Sequence, residues 1–400
     1  MDPLPFELVD LILENLDQHA DFKSCALVSR AWCAPAQIRL FHTVSALNGV
    51  QCLRLHELLL AVPHITHLIR CLDFRIDDRA SALLASSSLQ LMNRLLYLTF
   101  VNGHWTWPGD QPHELSAILL YPIAATLARN PITHVQLYGF SLCKADLQFL
   151  FAKAFSLKHL ILENFTSIAF DNRPLVEVSD GASVEQLESL HLILNRDSFM
   201  LCEWLCQPNC SIDTTHLRSF IISYDPEHNH NCFEPITRIL RTAGPSLHEL
   251  TIGRIRPEPS TQLQSLPWNL AHNPSLRSLT LDLIPDIVYS PSHCPPRPLE
   301  SAVSLLPRPS QIQELNLCLA MANCDFHTLR YSNHTGWQVL ASSLTLEAFP
   351  MLQVVRVILT LPVDHLGMIE DLANREIVEF KMQWVLKFLD IREARHHLRV

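Results

Sequence analysis

Cys202, Cys206 and Cys210 recur every four residues, and His228, His230 and Cys232 follow shortly after them. Thiolates combined with imidazoles are a zinc-binding set, and on a helix Cys202 and Cys206 would share a face. Pro208 predicts that such a helix stops before Cys210, and the cysteines lack the usual CxxC spacing. Buried thiols and loop histidines are therefore expected in place of a metal centre. Cys33 and His42 have the residue types of a nucleophile and its base, but no third group to orient the base accompanies them. No catalytic residue, metal or cofactor is predicted.

Trp105 and Trp107 stand in the run His104-Trp105-Thr106-Trp107-Pro108, just after an apolar alternating segment. Aromatic residues in a loop at the end of a strand often recognise partners, which makes both candidates for substrate binding. Packing over the neighbouring segments is the competing reading. Asp77-Asp78 reads as solvated surface.

Glycine usage removes whole classes of chemistry. Only 9 glycines occur in 400 residues, where average usage would give about 28. The nearest pair, Gly103 and Gly109, is six positions apart, so GxGxxG, GxSxG and the GxxxxGK[ST] phosphate loop are all absent. The net charge of −10, with 21 histidines counted neutral, disfavours nucleic acid and anionic membrane as partners. Half of those histidines protonated near pH 6.5 would about cancel the deficit, so solubility is expected to be poorest slightly below neutrality. The longest apolar stretch, Ile118 to Ala128, contains Pro122 and falls short of the roughly 20 residues of a membrane span. Met1-Asp2-Pro3-Leu4-Pro5 has no basic start of the kind that opens a signal peptide, and the 12 cysteines are scattered, some inside apolar segments such as Leu317-Cys318-Leu319. Free thiols in a reducing compartment, cytoplasmic or nuclear, are expected.

The elements that must carry any function fall into two parts. In the first forty-five residues, Pro5 suits a first helical turn, and Glu7 and Asp10 favour its positive end. Leu8, Leu11, Ile12 and Leu16 mark an apolar stripe at helical spacing. Asp21 is placed to cap a second helix carrying Phe22, Cys25 and Ala26, and Ser29 a third that Pro35 is expected to break after Trp32. Three short helices make a thin core, so outward leucines need a partner.

Leu4-Pro5-x-Glu7-Leu8-x-x-x-Ile12-Leu13-x-x-Leu16, then Leu27-Val28-Ser29-Arg30-x-Trp32, then Leu40-Phe41, resembles an F-box in order and spacing. The resemblance covers about a tenth of the chain; Cys33-Ala34-Pro35 departs from its third helix. It implies binding to the Skp-type adaptor of a Skp–cullin–F-box ubiquitin ligase, and through the adaptor to cullin. Leu4, Pro5, Ile12, Leu13, Leu16, Leu27, Val28 and Trp32 correspond to motif positions that either build the core or face the adaptor; residue type and spacing do not separate the two roles.

The rest of the chain repeats. The pattern apolar-x-x-apolar-x-apolar begins at Ile69, Leu95, Ile132, Leu157, Leu187, Leu217, Leu247, Leu276, Ile312 and Leu352. From Leu157 to Leu276 successive starts are 30, 30, 30 and 29 residues apart, and the spacing loosens to 37 between Leu95 and Ile132, 36 between Leu276 and Ile312 and 40 before Leu352. Each copy predicts a short strand with leucines alternating to one side. Between copies lie segments of helical character, among them 144–155, 199–206, 233–243 and 336–349. Proline two positions ahead of Leu247, Leu276 and Leu352 ends one element and launches the next.

A strand–helix unit of 30 residues resembles a long leucine-rich repeat, of the kind many fungal F-box proteins carry. Its usual ninth-position Asn or Cys occurs only as Asn195; Phe140, Phe165, Ile255, Ile284 and Ala320 stand there in other copies, which predicts an irregular arc. The expected fold class is α/β: a three-helix F-box over 1–45, then a leucine-rich-repeat-like α/β solenoid over 46–400. A Pro-rich loop is expected at about 285–309 and a C-terminal cap from about 362. The function implied is non-catalytic: the F-box holds the adaptor and the solenoid selects a target protein for ubiquitin transfer. The alternative is an F-box/leucine-rich-repeat interaction scaffold without ligase function.

Overall fold

The computed structural model describes residues 4–16, 18–102, 112–163, 165, 186–194, 199–207, 210–224, 233–255, 270–283, 311–320 and 349–360. Two compact units emerge, one of Met1–Leu187 with Asn209–Asp213, the other of Glu188–Pro208 with Thr214–Val400. The expected Pro-rich loop and C-terminal cap lie outside the described residues.

The first unit opens with helices α1 (Phe6–Glu14), α2 (His19–Val28) and α3 (Arg30–His42). Strands and helices then alternate: β1 (Thr43–Ala46), α4 (Gly49–Ala61), β2 (Cys71–Ile76), α5 (Arg79–Leu91), β3 (Tyr97–Asn102), α6 (Pro112–Arg129), β4 (His134–Tyr138), α7 (Lys144–Phe151) and β5 (His159–Glu163). All pairings are parallel, and each strand lies beside its neighbour in sequence. The second unit continues in the same style with β6 (Ser189–Leu194), α8 (Phe199–Leu205), β7 (Ser219–Tyr224), α9 (Phe233–Ala243), β8 (Glu249–Ile255), β9 (Ser278–Leu283), β10 (Glu314–Ala320) and β11 (Val354–Thr360). Its strands are also parallel and in chain order. The architecture is mixed α/β.

Every repeat start named from the sequence is buried, from Ile69 to Leu352. The three-then-two spacing of the apolar positions has a specific backbone cause. At the entrances of most described strands one carbonyl accepts two successive amides of the next repeat: Leu96 O takes Thr133 N at 2.9 Å and His134 N at 3.1 Å, and Thr133 O takes Lys158 N and His159 N, both at 2.9 Å. In the second unit Arg218 O accepts His248 N at 2.8 Å and Glu249 N at 2.9 Å, and His248, Arg277 and Gln313 do the same for their successors. Two residues opposing one, as in a β-bulge, suspend the strand's alternation for one step. Positions one and four therefore reach the same face, after which strict alternation carries position six inward as well. In register, Leu72, Leu98, Val135 and Leu160 form one buried row and Phe74, Phe100, Leu137 and Leu162 the next. Burying each such side chain contributes about 1.5–3 kcal/mol.

The first unit stacks phenylalanines from the inward strand row, Phe74 and Phe100, to the place of the missing Asn or Cys ladder, Phe140 and Phe165. Phe74 and Phe100 stack at 5.3 Å, Phe100 meets Phe140 edge-on at 6.4 Å, and Phe140 stacks on Phe165 at 6.2 Å. Polar closure falls to asparagines just ahead of the strands. Asn130 Oδ1 accepts from Leu95 N at 3.0 Å while its Nδ2 donates to Thr126 O at 3.0 Å and Met92 O at 3.4 Å. Asn273 Nδ2 donates to Leu240 O at 2.8 Å and Gly244 O at 2.9 Å. Both asparagines precede a proline, and both satisfy helix-end carbonyls that would otherwise be orphaned. Gly253 lies close against Ser223 on the neighbouring strand, where a Cβ would displace the Ser223 hydroxyl.

Several local expectations change. Pro35 does not end the third helix, which runs unbroken from Arg30 to His42 with Pro35 buried inside it. Lying just past the first turn, Pro35 forfeits a single intrahelical bond, and its burial offsets that loss. Gln18 caps α2, and Asp21 lies within its first turn; Ser29 holds the N-cap position of α3 without a side-chain bond. The 144–155 helix stops at Phe151, where Ala154 N closes back onto the Phe151 carbonyl at 3.1 Å. Strand β1 escaped the repeat comparison because Ala46 is its only buried side chain.

Asn130→Ala would strand the buried Leu95 N–H and free two helix-end carbonyls. Urea denaturation of the full chain is expected to show a loss of about 1–3 kcal/mol.

Candidate protein-docking surface

The three N-terminal helices share a very small core. Val9, Leu13 and Ala36 are buried, and Leu16, Phe22, Cys25, Ala26 and Trp32 pack against them. At the start of α1, the Pro5 carbonyl accepts from Leu8 N at 3.0 Å and Val9 N at 3.2 Å. Arg39 ties α3 to α1, its Nη2 lying 2.6 Å from Asp10 Oδ1 and 3.5 Å from Glu14 Oε1. Such half-exposed pairs contribute about 0–1 kcal/mol, so they orient the helices more than they stabilise them.

The apolar stripe of Leu8, Leu11, Ile12 and Leu16 is divided. Leu16 turns toward the core together with Val9 and Leu13, whereas Leu8, Leu11 and Ile12 face out on an adjacent side of the helix. Helix α1 thus has two apolar faces, and the small partners α2 and α3 cover one. Phe6 is 61% exposed, and at the far end of α2 Leu27 is 86% and Val28 67% exposed. An exposed apolar surface of this kind makes these helices a candidate protein-docking surface.

The geometry separates what spacing could not. Among the motif residues, Leu13 is core, and Leu16 and Trp32 pack against that core. Leu4, Pro5, Ile12, Leu27 and Val28 are exposed. Phe6, Leu8 and Leu11 join them on the outer face; the readable signal was an apolar stripe on α1 wider than one buried side requires.

Among the described residues, the chemical candidates are not brought together. Cys33 and His42 sit nine residues apart on the same helix, about 13 Å along its axis. His42 instead has its Nδ1 3.2 Å from Thr43 Oγ1 and 3.8 Å from Cys71 Sγ, and burial pushes the Cys71 thiol up, away from the thiolate a nucleophile needs. Cys202 is fully buried on α8. Cys206 donates its thiol to Pro235 O at 3.2 Å, and burial raises it to about 11, so it remains a neutral thiol. Cys210 lies beyond the end of α8, as Pro208 predicted. His228, His230 and Cys232, like Trp105 and Trp107, lie outside the described residues. Among the described residues, no group of three or more His, Cys, Asp or Glu is placed to hold a metal. Asp78 is more than solvated surface: it caps α5, accepting from Ser81 N at 2.7 Å, while Asp77 pairs with Arg75 at 3.2 Å. No described helix is long and apolar enough to cross a membrane. Compared with known proteins, the chain matches no family model and no curated sequence.

The two classes of apolar residue differ in what they support. Leu13→Ala is expected to destabilise the three-helix unit by about 2–5 kcal/mol, and Leu27→Ser to change it by less than about 0.5 kcal/mol. Hydrogen exchange of the α1–α3 amides measures both.

Proposed function

We propose that this chain is an F-box protein whose outer α1–α2 surface binds a Skp-type adaptor, and whose repeats form a leucine-rich-repeat-like solenoid that selects a target protein. The observation that carries the reading is the exposure of Leu4, Pro5, Ile12, Leu27 and Val28 on helices whose own core is minimal. A unit that buries so little alone gains stability by covering such a surface with a partner. Parallel strands in chain order, with helices between them, suit the repeat array that the reading requires.

In this reading the chain performs no covalent chemistry. The adaptor links it to cullin and to a conjugating enzyme carried elsewhere in the complex. The target, held on the repeats, experiences a raised effective concentration of the reactive thioester, and transfer follows from proximity. Specificity resides in residues outside the repeat pattern, since the inward positions are occupied by packing.

Capture of the adaptor and cullin by the full-length chain tests the proposal. The wild-type chain is expected to retain both, and Leu8→Asp with Leu27→Asp to lower retention by about tenfold or more with an unchanged circular dichroism spectrum. A wild-type chain that retains neither protein overturns the reading; retention of adaptor without cullin favours the scaffold alternative.

A further inference from the structure

Across three neighbouring strands of the first unit, the first residue of each strand is aromatic, and the rings stack in one column. Tyr97 and His134 have ring centroids 4.0 Å apart with planes at 22°, and His134 and His159 are 4.0 Å apart with planes at 15°. Parallel register places the three opposite one another. The column stands at the point where the shared carbonyls of Leu96 and Thr133 each hold two amides, so ring packing and the backbone junction occupy the same place.

We propose that the Tyr97–His134–His159 column is a proton-operated latch: with neutral histidines it closes the entrances of β3, β4 and β5 on one another, and with both charged it opens them. One imidazolium stacks on a neutral ring without penalty. A second brings like charges to about 4 Å with no water between the ring faces.

Among the described residues packed against His134, none carries a counter-charge for that second proton. Toward β3 it faces Tyr97, toward β5 it faces His159, and on its own chain Thr133 Oγ1 lies 2.8 Å from Nδ1. That hydroxyl can donate to the neutral ring or accept from the charged one, so it does not choose between them. Beyond Tyr97 stand Cys71 and His42. Among the described residues of β2 to β5, the carboxylates on this side lie in later rows, Asp73 in register with Thr99 and Gln136, and Glu163 with Tyr138. The neighbouring cations are Lys158, beside His159, and Arg70, whose guanidinium donates to Arg94 O at 3.0 Å.

Burial, with the His159 ring beside it, holds His134 below the usual histidine range. The sign follows: a group whose folded pKa is depressed by favouring its neutral form contributes its full stability above about pH 6.5, and loses it as pH falls through the lowered value.

Hydrogen exchange of the full chain between pH 7.5 and 5, corrected for intrinsic rates, reads the latch at the Thr133, His134, Lys158 and His159 amides. Their protection is expected to fall about tenfold more in the wild type than in His159→Phe, which keeps a ring in the stack but removes the second charge. His134→Gln provides the same comparison from the other member, and carbon-detected imidazole titration of the wild type is expected to show two separated steps. An equal fall in the wild type and in whichever variant folds, or a single common midpoint for both rings, would overturn the proposal.

Discussion

A single carbonyl receiving two successive amides recurs at the strand entrances of both units, and the arrangement of the apolar side chains depends on it. It suspends the alternation of the backbone for one residue, which lets a leucine ahead of the strand and two within it reach the same core. Without that step, strict alternation would turn either the first leucine or the following pair outward. Hydrophobic burial supplies the energy of the repeat, but this small backbone irregularity decides which residues can contribute it.

The N-terminal helices answer to a different constraint. Their core has room for little more than Val9, Leu13 and Ala36, with Trp32 and a few others closing its sides. Any further apolar residue on α1 or α2 has to face out. Leu8, Leu11, Ile12, Leu27 and Val28 are therefore exposed because the small core has no room for them, and the proposed function rests on that exposure.

Much of the repeat was legible because leucine positions in a buried, phase-locked strand leave a strong periodic trace; Leu157 through Leu276 needed nothing else. What escaped lacked that trace. Strand β1 buries only Ala46, so no hydrophobic pattern announces it. Pro35 looked like a helix breaker because propensity does not register that its cost is a single bond in a buried turn. Asn130 and Asn273 are common loop residues by type, and only their distance from the helix-end carbonyls gives them a structural task. The aromatic column was hidden for another reason: Tyr97, His134 and His159 are separated by 37 and 25 residues and meet only through strand register. Division of the F-box-like positions into core and surface likewise required the packing of α2 and α3 on α1, which spacing along one helix does not encode.

Strand order that follows chain order has an entropic corollary. Each new strand pairs with one formed a few dozen residues earlier, so a connection can lengthen without re-routing any other. Going from 30 to 40 residues between starts costs only about 0.3 kcal/mol in closure entropy. The gaps of 36, 37 and 40 residues are thus inexpensive departures from the common period: the connections lengthen while the inward leucines keep their places in the core.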